Sequence, residues 1–338
     1  MKKNFDTADH LWLESFRSLT KNGGTKSFDG YTARLTDVDK CFTWNNGLQM
    51  DALKACSKLL FLLDFSYDGA FIKAYDHFAE VDEEGNAVNA YGPVLRDQLS
   101  TAIHSLRTDS FANYVVLSPW EGVESQQAEL FLDSQTRADS LLTAQFLYDG
   151  DKLNLFTNWR SIDIWNELPY NLFVWSNLLS LVAGYAEMEV GFIQIQSAEV
   201  YVPQFLDKLP QRYALSEGQY DKVPGIGLNH KGLGGVKDPI HHMECGACLE
   251  ELMRSNFSFG KRFGDITKSE WKKKSSVTTA LTAIYAHWAI LALETLPKQD
   301  EKTLLTRIDN LIGVLGDYAD TRLIENVACF LNHKYIKK

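Results

Sequence analysis

Residues 153–201 read LNLFTNWRSIDIWNELPYNLFVWSNLLSLVAGYAEMEVGFIQIQSAEVY. The runs Thr143–Tyr148 and Leu153–Trp159 flank Asp149-Gly150-Asp151. An Asp-Gly turn between two such runs predicts a β-hairpin. After Leu168-Pro169, residues 170–186 are almost continuously apolar. Seventeen residues exceed a strand, while Asn171, Ser176 and Asn177 argue against a membrane helix, so a buried central helix is expected. Glu189–Val202 then returns to strand-like alternation.

Helical spacing extends outward over residues 10–20, 48–64 and 93–107. Residues 76–89 are polar, with a turn at Glu84-Gly85-Asn86, and 113–119 make a short buried strand. Together these predict an α/β (α+β) fold, a mixed sheet around a long buried helix. Residues 207–238 are rich in Gly, Pro and charge. Their Gly-x-Gly pattern lacks the preceding strand and the Gly-Lys-Ser/Thr ending of a phosphate loop. Asp238-Pro239 is a helix start, Asp as cap and Pro in the first turn. Residues 275–295, 303–315 and 321–334 continue in helical spacing. The expected organisation is a domain at 1–215, a Gly/Pro-rich loop at 216–237 and a helical domain at 238–338.

The 338 residues are 45% hydrophobic and 23% charged, as in an ordinary globular chain. A net charge of -10 opposes nonspecific binding to nucleic acid or an anionic membrane, though a local basic pocket for one small anion remains compatible. No run reaches the ~20 apolar residues of a membrane span, and MKKNFDTADHLW lacks the apolar core of a secretory signal. Five cysteines, an odd number, read as reduced thiols in a cytoplasmic protein. His241, Cys245 and Cys248 would share a helix face and could offer three zinc ligands. No second Cys-x-x-Cys is present, however, and Leu249 and Leu252 continue the same stripe, so a packed helix face is the plainer reading and no metal is expected.

Five segments, in order, resemble the thymidylate synthase superfamily: Tyr91-Gly92-Pro93-Val94-Leu95-Arg96; Val116-Leu117-Ser118-Pro119-Trp120; Gln145-Phe146 with Asp149-Gly150 and Leu153; Arg160-Ser161-Ile162-Asp163 through Leu168-Pro169-Tyr170-Asn171; and Glu189-Val190-Gly191 leading to Tyr201. The resemblance covers roughly residues 10–205. It implies a pyrimidine nucleotide as ligand, a symmetric homodimer formed through the sheet face, and a tetrahydrofolate derivative as a possible cofactor. Arg96 falls in a matching segment and counts among the substrate-binding candidates. Arg160 matches the phosphate arginine, a planar bidentate donor, and Ser161 its hydroxyl partner. Asn171 matches the amide that reads the pyrimidine edge, because an amide both donates and accepts. Tyr201 matches a sugar-binding tyrosine, and Asp163 a carboxylate facing the folate. Read without the resemblance, Arg160 is a strand-end arginine in an ion pair, Asn171 a helix cap and Tyr201 a core tyrosine.

The departures bear on chemistry. The family's Cys-His pair is Ser140-Leu141 here, and a serine without an adjacent base is a far weaker nucleophile than a thiolate. The paired arginines are Asn113 and Tyr114, the proton-managing glutamate is Lys58, and the sugar-binding histidine is Glu199. The flexible Arg-Thr-Gly loop has no counterpart near Asp29-Gly30-Tyr31-Thr32, although Arg34 is close. Thymidylate synthesis by the standard route is therefore not expected. Lys58, Ser140 and Glu199 are the candidate reactive groups, with Lys58 and Glu199 either tuning one another in one pocket or forming a structural ion pair. The sequence leaves open a nucleotide-binding protein of altered activity, a C5 one-carbon transferase with a rebuilt acid-base set, and a catalytically dead scaffold.

Overall fold

A computed structural model describes residues 3–20, 26–28, 30–43, 50, 52–76, 79, 81–88, 90–120, 140–203 and 233–247. In chain order these form β1 (Lys3–Phe5), α1 (Ala8–Thr20), β2 (Lys26–Ser27), β3 (Tyr31–Leu35), α2 (Ala52–Leu63), α3 (Gly69–Tyr75), α4 (Tyr91–Thr108), β4 (Val116–Leu117), β5 (Leu141–Tyr148), β6 (Lys152–Asp163), α5 (Leu168–Ala186), β7 (Glu189–Tyr201) and α6 (Pro239–Ala247). The expected tail helices beyond residue 247, and most of the Gly/Pro-rich loop, lie outside the described residues.

The sheet runs β1-β3-β7-β6-β5-β4, with β2 pairing onto the end of β7. It is mixed, as the sequence predicts: β6 and β7 are parallel, β1 and β3 are parallel, and the remaining neighbours are antiparallel. A parallel pair needs a crossover, and α5 supplies it between β6 and β7.

The β5–β6 hairpin forms where Asp149-Gly150 predicts it. Gly150 takes φ +100°, a left-handed value glycine reaches without a Cβ clash. Asp149 Oδ1 accepts from the amides of Asp151 (3.0 Å) and Lys152 (2.9 Å), closing the turn.

Helix α5 is the buried central helix. Two of its polar side chains bond back along the helix: Asn177 Nδ2 donates to Phe173 O at 2.7 Å and Ser180 Oγ to Ser176 O at 3.1 Å. It stops at Glu187, whose φ of +59° turns the chain left-handed while Met188 N reaches back to Ala183 O at 2.9 Å. Trp12 of α1 donates its indole N–H to Ile164 O at 2.9 Å, fastening α1 over the turn that leads into α5. Helices α2 and α4 pack on α5 from the same side, over a sheet face carrying Leu35, Phe146, Leu155, Ile193 and Ile195.

By strand alternation and register the opposite face carries Thr32 and Arg34 of β3, Phe156 and Asn158 of β6, and Gln194 and Gln196 of β7. Arg34 Nη2 donates to Gln194 Oε1 at 2.9 Å and its guanidinium lies 3.7 Å over the Phe192 ring.

Strand β4 is shorter than residues 113–119 predict, because side chains take the backbone on both sides of it. Gln145 Nε2 donates to Asn113 O at 2.8 Å, and the Gln98 amide both accepts from Ser118 N (2.7 Å) and donates to Ser118 O (3.0 Å).

Helix α6 begins as Asp238-Pro239 predicts, with Asp238 Oδ1 accepting from His241 N at 3.0 Å. It packs on α2 and α4, and His242 Nδ1 is hydrogen-bonded to the Tyr185 hydroxyl at 2.8 Å. Arg107, at the end of α4, ties this region to α5 by donating to Tyr185 O (2.8 Å), Gly234 O (3.2 Å) and Val236 O (2.9 Å). Replacing Arg107 with methionine keeps the apolar stem and removes all three bonds. The expected loss is about 1–3 kcal/mol, with hydrogen exchange in 239–247 accelerating more than in α5. Uniform acceleration across both helices would contradict this account.

Candidate functional site

Most of the family-matched residues collect at one end of the sheet, where β6 and β7 finish and α5 begins. In open α/β sheets this carboxyl end of a parallel pair is the ordinary place for a ligand crevice. Ser161 lies opposite Glu199, and Asp163 opposite Tyr201. Ser140 stands just ahead of β5 and its carbonyl accepts from Arg160 N at 2.7 Å. Asn171 sits in the first turn of α5, its backbone N–H donating to Glu167 O at 2.8 Å. Ser140, Arg160, Ser161, Asn171, Glu199 and Tyr201 are all partly buried, neither sealed in the core nor fully in solvent.

Arg160 and Ser161 are successive residues of an extended strand, so their side chains leave opposite faces. A ligand touched by both must sit at the sheet's end, where the faces meet. Ser161 and Glu199 share the helix side.

Three candidates have partners that the sequence does not reveal. Arg96 is held at the surface beside α6, its Nε 2.8 Å from Glu244 Oε1, and its Nη1 3.6 Å from Asp97. Asp163 spends its carboxylate on the β6–α5 turn: Oδ1 accepts from Trp165 N (2.8 Å) and Asn166 N (2.9 Å), and Oδ2 from Asn166 Nδ2 (2.8 Å). Lys58 forms its ion pair with Asp76, not the pair with Glu199 considered above: Nζ lies 3.2 Å from Asp76 Oδ2. The physical reason is reach. Both lysines of α2 face the end of α3, and Lys54 Nζ takes the other oxygen of Asp76 at 2.9 Å.

Residues given no role by the resemblance lie close by: Lys54, Asp76, Glu167 and Tyr170. Lys54 Nζ lies 4.9 Å from the Tyr170 ring centre, and Glu167 Oε2 accepts from Asp163 N at 3.0 Å. One signal could have found them. Two lysines one turn apart on an otherwise apolar helix need a shared anion, since buried cations are costly unless paired.

Burial and the Lys54 charge lower the Lys58 ammonium pKa, against the pull of Asp76 and Glu167. Burial alone would push Asp76 up, but Lys58 and Lys54 outweigh it and hold its carboxyl below the usual carboxylate range. Cys41 is not placed to act as a nucleophile. It is buried against Asn177 (Nδ2 to Sγ 3.7 Å), and burial, then Asp39, push its thiol well above the ordinary value.

Of the zinc candidates, His241 is exposed and Cys248 lies outside the described residues. Among the described residues no group of three or more His, Cys, Asp or Glu is placed to hold a metal ion, and no helix is long and apolar enough to cross a membrane. No protein-family model matches the chain.

Proposed function

We propose that the chain is a thymidylate synthase-like protein that binds a pyrimidine nucleoside monophosphate at the carboxyl ends of β6 and β7, with an activity altered by the loss of the nucleophilic cysteine. One observation carries the reading. The segment Arg160-Ser161-Ile162-Asp163 ends a strand parallel to β7, and the crossover helix opening Leu168-Pro169-Tyr170-Asn171 follows at once, with Glu199 and Tyr201 in register beside it. A guanidinium, a hydroxyl and an amide near one end of the sheet would suit the phosphate and base edge of such a ligand. In this reading two copies pair through the sheet face bearing Arg34, Phe156 and Gln196, in a cytoplasmic setting.

A folate is less well provided for. Asp163, the carboxylate that would face it, is committed to its own turn, so that residue does not fit the role. A second reading, a C5 one-carbon transferase with a rebuilt acid-base set, is favoured by the Lys54–Asp76–Lys58 arrangement beside Glu167.

The test is thermal unfolding of the full chain with a panel of ribo- and deoxyribonucleoside monophosphates, with and without a tetrahydrofolate derivative. A ligand at a hundred times its dissociation constant adds about 2.7 kcal/mol. The expected outcome is a selective response to one pyrimidine nucleotide that Arg160→Ala abolishes while Arg96→Ala, on the α6 side, leaves it intact. A flat panel with folded protein rejects the nucleotide reading and leaves the scaffold role.

A further inference from the structure

Strand β4 stands at the edge of the sheet, beyond β5. Val115 and Leu117 turn their side chains into the core, so Tyr114 and Val116 alternate onto the open face, at 66% and 44% exposed. The backbone alternates as well. Val115 O accepts from Phe146 N of β5 at 2.9 Å, so the N–H and C=O of Val116 point away from β5. At Ser118, the next outward residue, the Gln98 amide of α4 occupies both groups. Among the described residues no group bonds to those of Val116. A cavity of about 320 Å³ lies there instead, lined by both Val115 and Val116. Their side chains leave opposite faces, so the cavity runs against the backbone edge of the strand. Its far wall is α4, where Asp97, Thr101 and Ser105 make one helical stripe beside Ala102. The Asp97 side chain is 96% exposed, and Arg96, 3.6 Å away, gives its Nε to Glu244. No Lys, Arg or His lines the cavity.

We propose that this edge binds an extended peptide segment of a partner protein, added beside β4 as a further strand, with lysine or arginine side chains reaching Asp97. In strand addition the main chain supplies the hold and alternate side chains the selectivity. The N–H and C=O of Val116 pair with the incoming backbone. Period two then sends successive peptide side chains to opposite sides. One set meets the carboxylate and hydroxyls of Asp97, Thr101 and Ser105, which accept from a cation. The other set lies beside Tyr114 and Val116, an apolar surface. The segment recognised therefore alternates basic and apolar residues. The net charge of -10 draws such a segment in and repels an acidic one. The inference does not rest on the nucleotide reading, whose site is at the ends of β6 and β7.

The experiment titrates the full chain into capped, fluorescent hexapeptides and reads their anisotropy. The probes are Val-Lys-Val-Lys-Val-Lys, its counterpart Val-Glu-Val-Glu-Val-Glu, and the lysine peptide with every backbone amide N-methylated, which keeps the charge and loses the donors. The lysine peptide is expected to bind at least about tenfold tighter than either of the others, the effect of one lost charge-assisted or backbone contact. Val116→Pro removes the outward N–H at a place where an edge strand tolerates proline, and should weaken the lysine peptide by about tenfold or more. Asp97→Lys, at a solvated position, should reverse the preference between the lysine and glutamate peptides. Absence of lysine-peptide binding to the folded, unaltered chain overturns the proposal. So does binding that survives both Val116→Pro and N-methylation, which is charge attraction alone. Concentration-dependent dimerisation that Val116→Pro abolishes, with no peptide bound, gives the edge to a second copy and overturns it too. If Val116→Pro does not fold, Asp97→Lys and the methylated probe decide the matter.

Discussion

Replacing Trp175 with alanine is expected to lower the unfolding free energy by about 3–5 kcal/mol, read from urea unfolding. Trp175 is 1% exposed and sits where three elements meet. The Tyr91 ring at the start of α4 lies 6.4 Å from it, and the Trp159 ring on β6 6.3 Å away in an edge-on arrangement of 84°. Truncation removes the apolar area and leaves a cavity whose walls belong to a helix start and a strand, neither of which can collapse inward without breaking its own hydrogen bonds. Tyr114→Ala is the control: at 66% exposed, it should fall within about 0.5 kcal/mol. If both variants unfold at the same urea concentration, α5 is not the organising element of this core.

That core is also where the sequence was most readable. An apolar run of 17 residues can satisfy its backbone only as a helix, and Asp149-Gly150 can close only a tight reversal, so α5 and the β5–β6 hairpin follow from local chemistry. The strands β1, β2 and β3 were not anticipated. Two to five residues carry too little alternation to signal a strand, and they are extended because a neighbour offers them a ladder: β7 for β2 and β3, as at Lys26↔Tyr201 and Tyr31↔Ser197, and β3 for β1. Helix α3 was hidden for another reason: its Asp68 cap, which accepts from Ala70 N at 2.9 Å, lies in a stretch with no apolar period to announce it.

The site divides the same way. A motif names residue types in order, and order brought Ser161, Asp163, Glu199 and Tyr201 to one end of one parallel pair. What a motif omits is the competing partner. Arg96 finds Glu244, which is 148 residues away, and Lys58 finds Asp76, in a segment the sequence marks only as polar. Asp163 is claimed by the backbone of its own turn. Each outcome depends on which donor or acceptor the tertiary fold places beside a charged atom, and local sequence does not state that.

The second large effect belongs to Asp76. Asp76→Ala is expected to cost about 3 kcal/mol, the lower end of the penalty for removing one partner of a buried ion pair, because Lys58 remains 36% exposed and water can take up part of its charge. Deleting the whole charge set should behave differently: Lys54→Met with Lys58→Met and Asp76→Leu leaves no stranded cation, and the triple variant should recover most of the loss. The acid limb supplies the sign. Asp76 has a folded pKa below its ordinary 3.8, so its contribution is fully present above that value and is lost as the pH falls through the lower folded one. Urea unfolding repeated between pH 6 and about pH 2 should therefore show the unaltered chain losing stability over a step that the triple variant lacks. If the triple variant is as unstable as Asp76→Ala at pH 6, the carboxylate is doing more than balancing two lysines, and its packing at the end of α3 becomes the thing to explain.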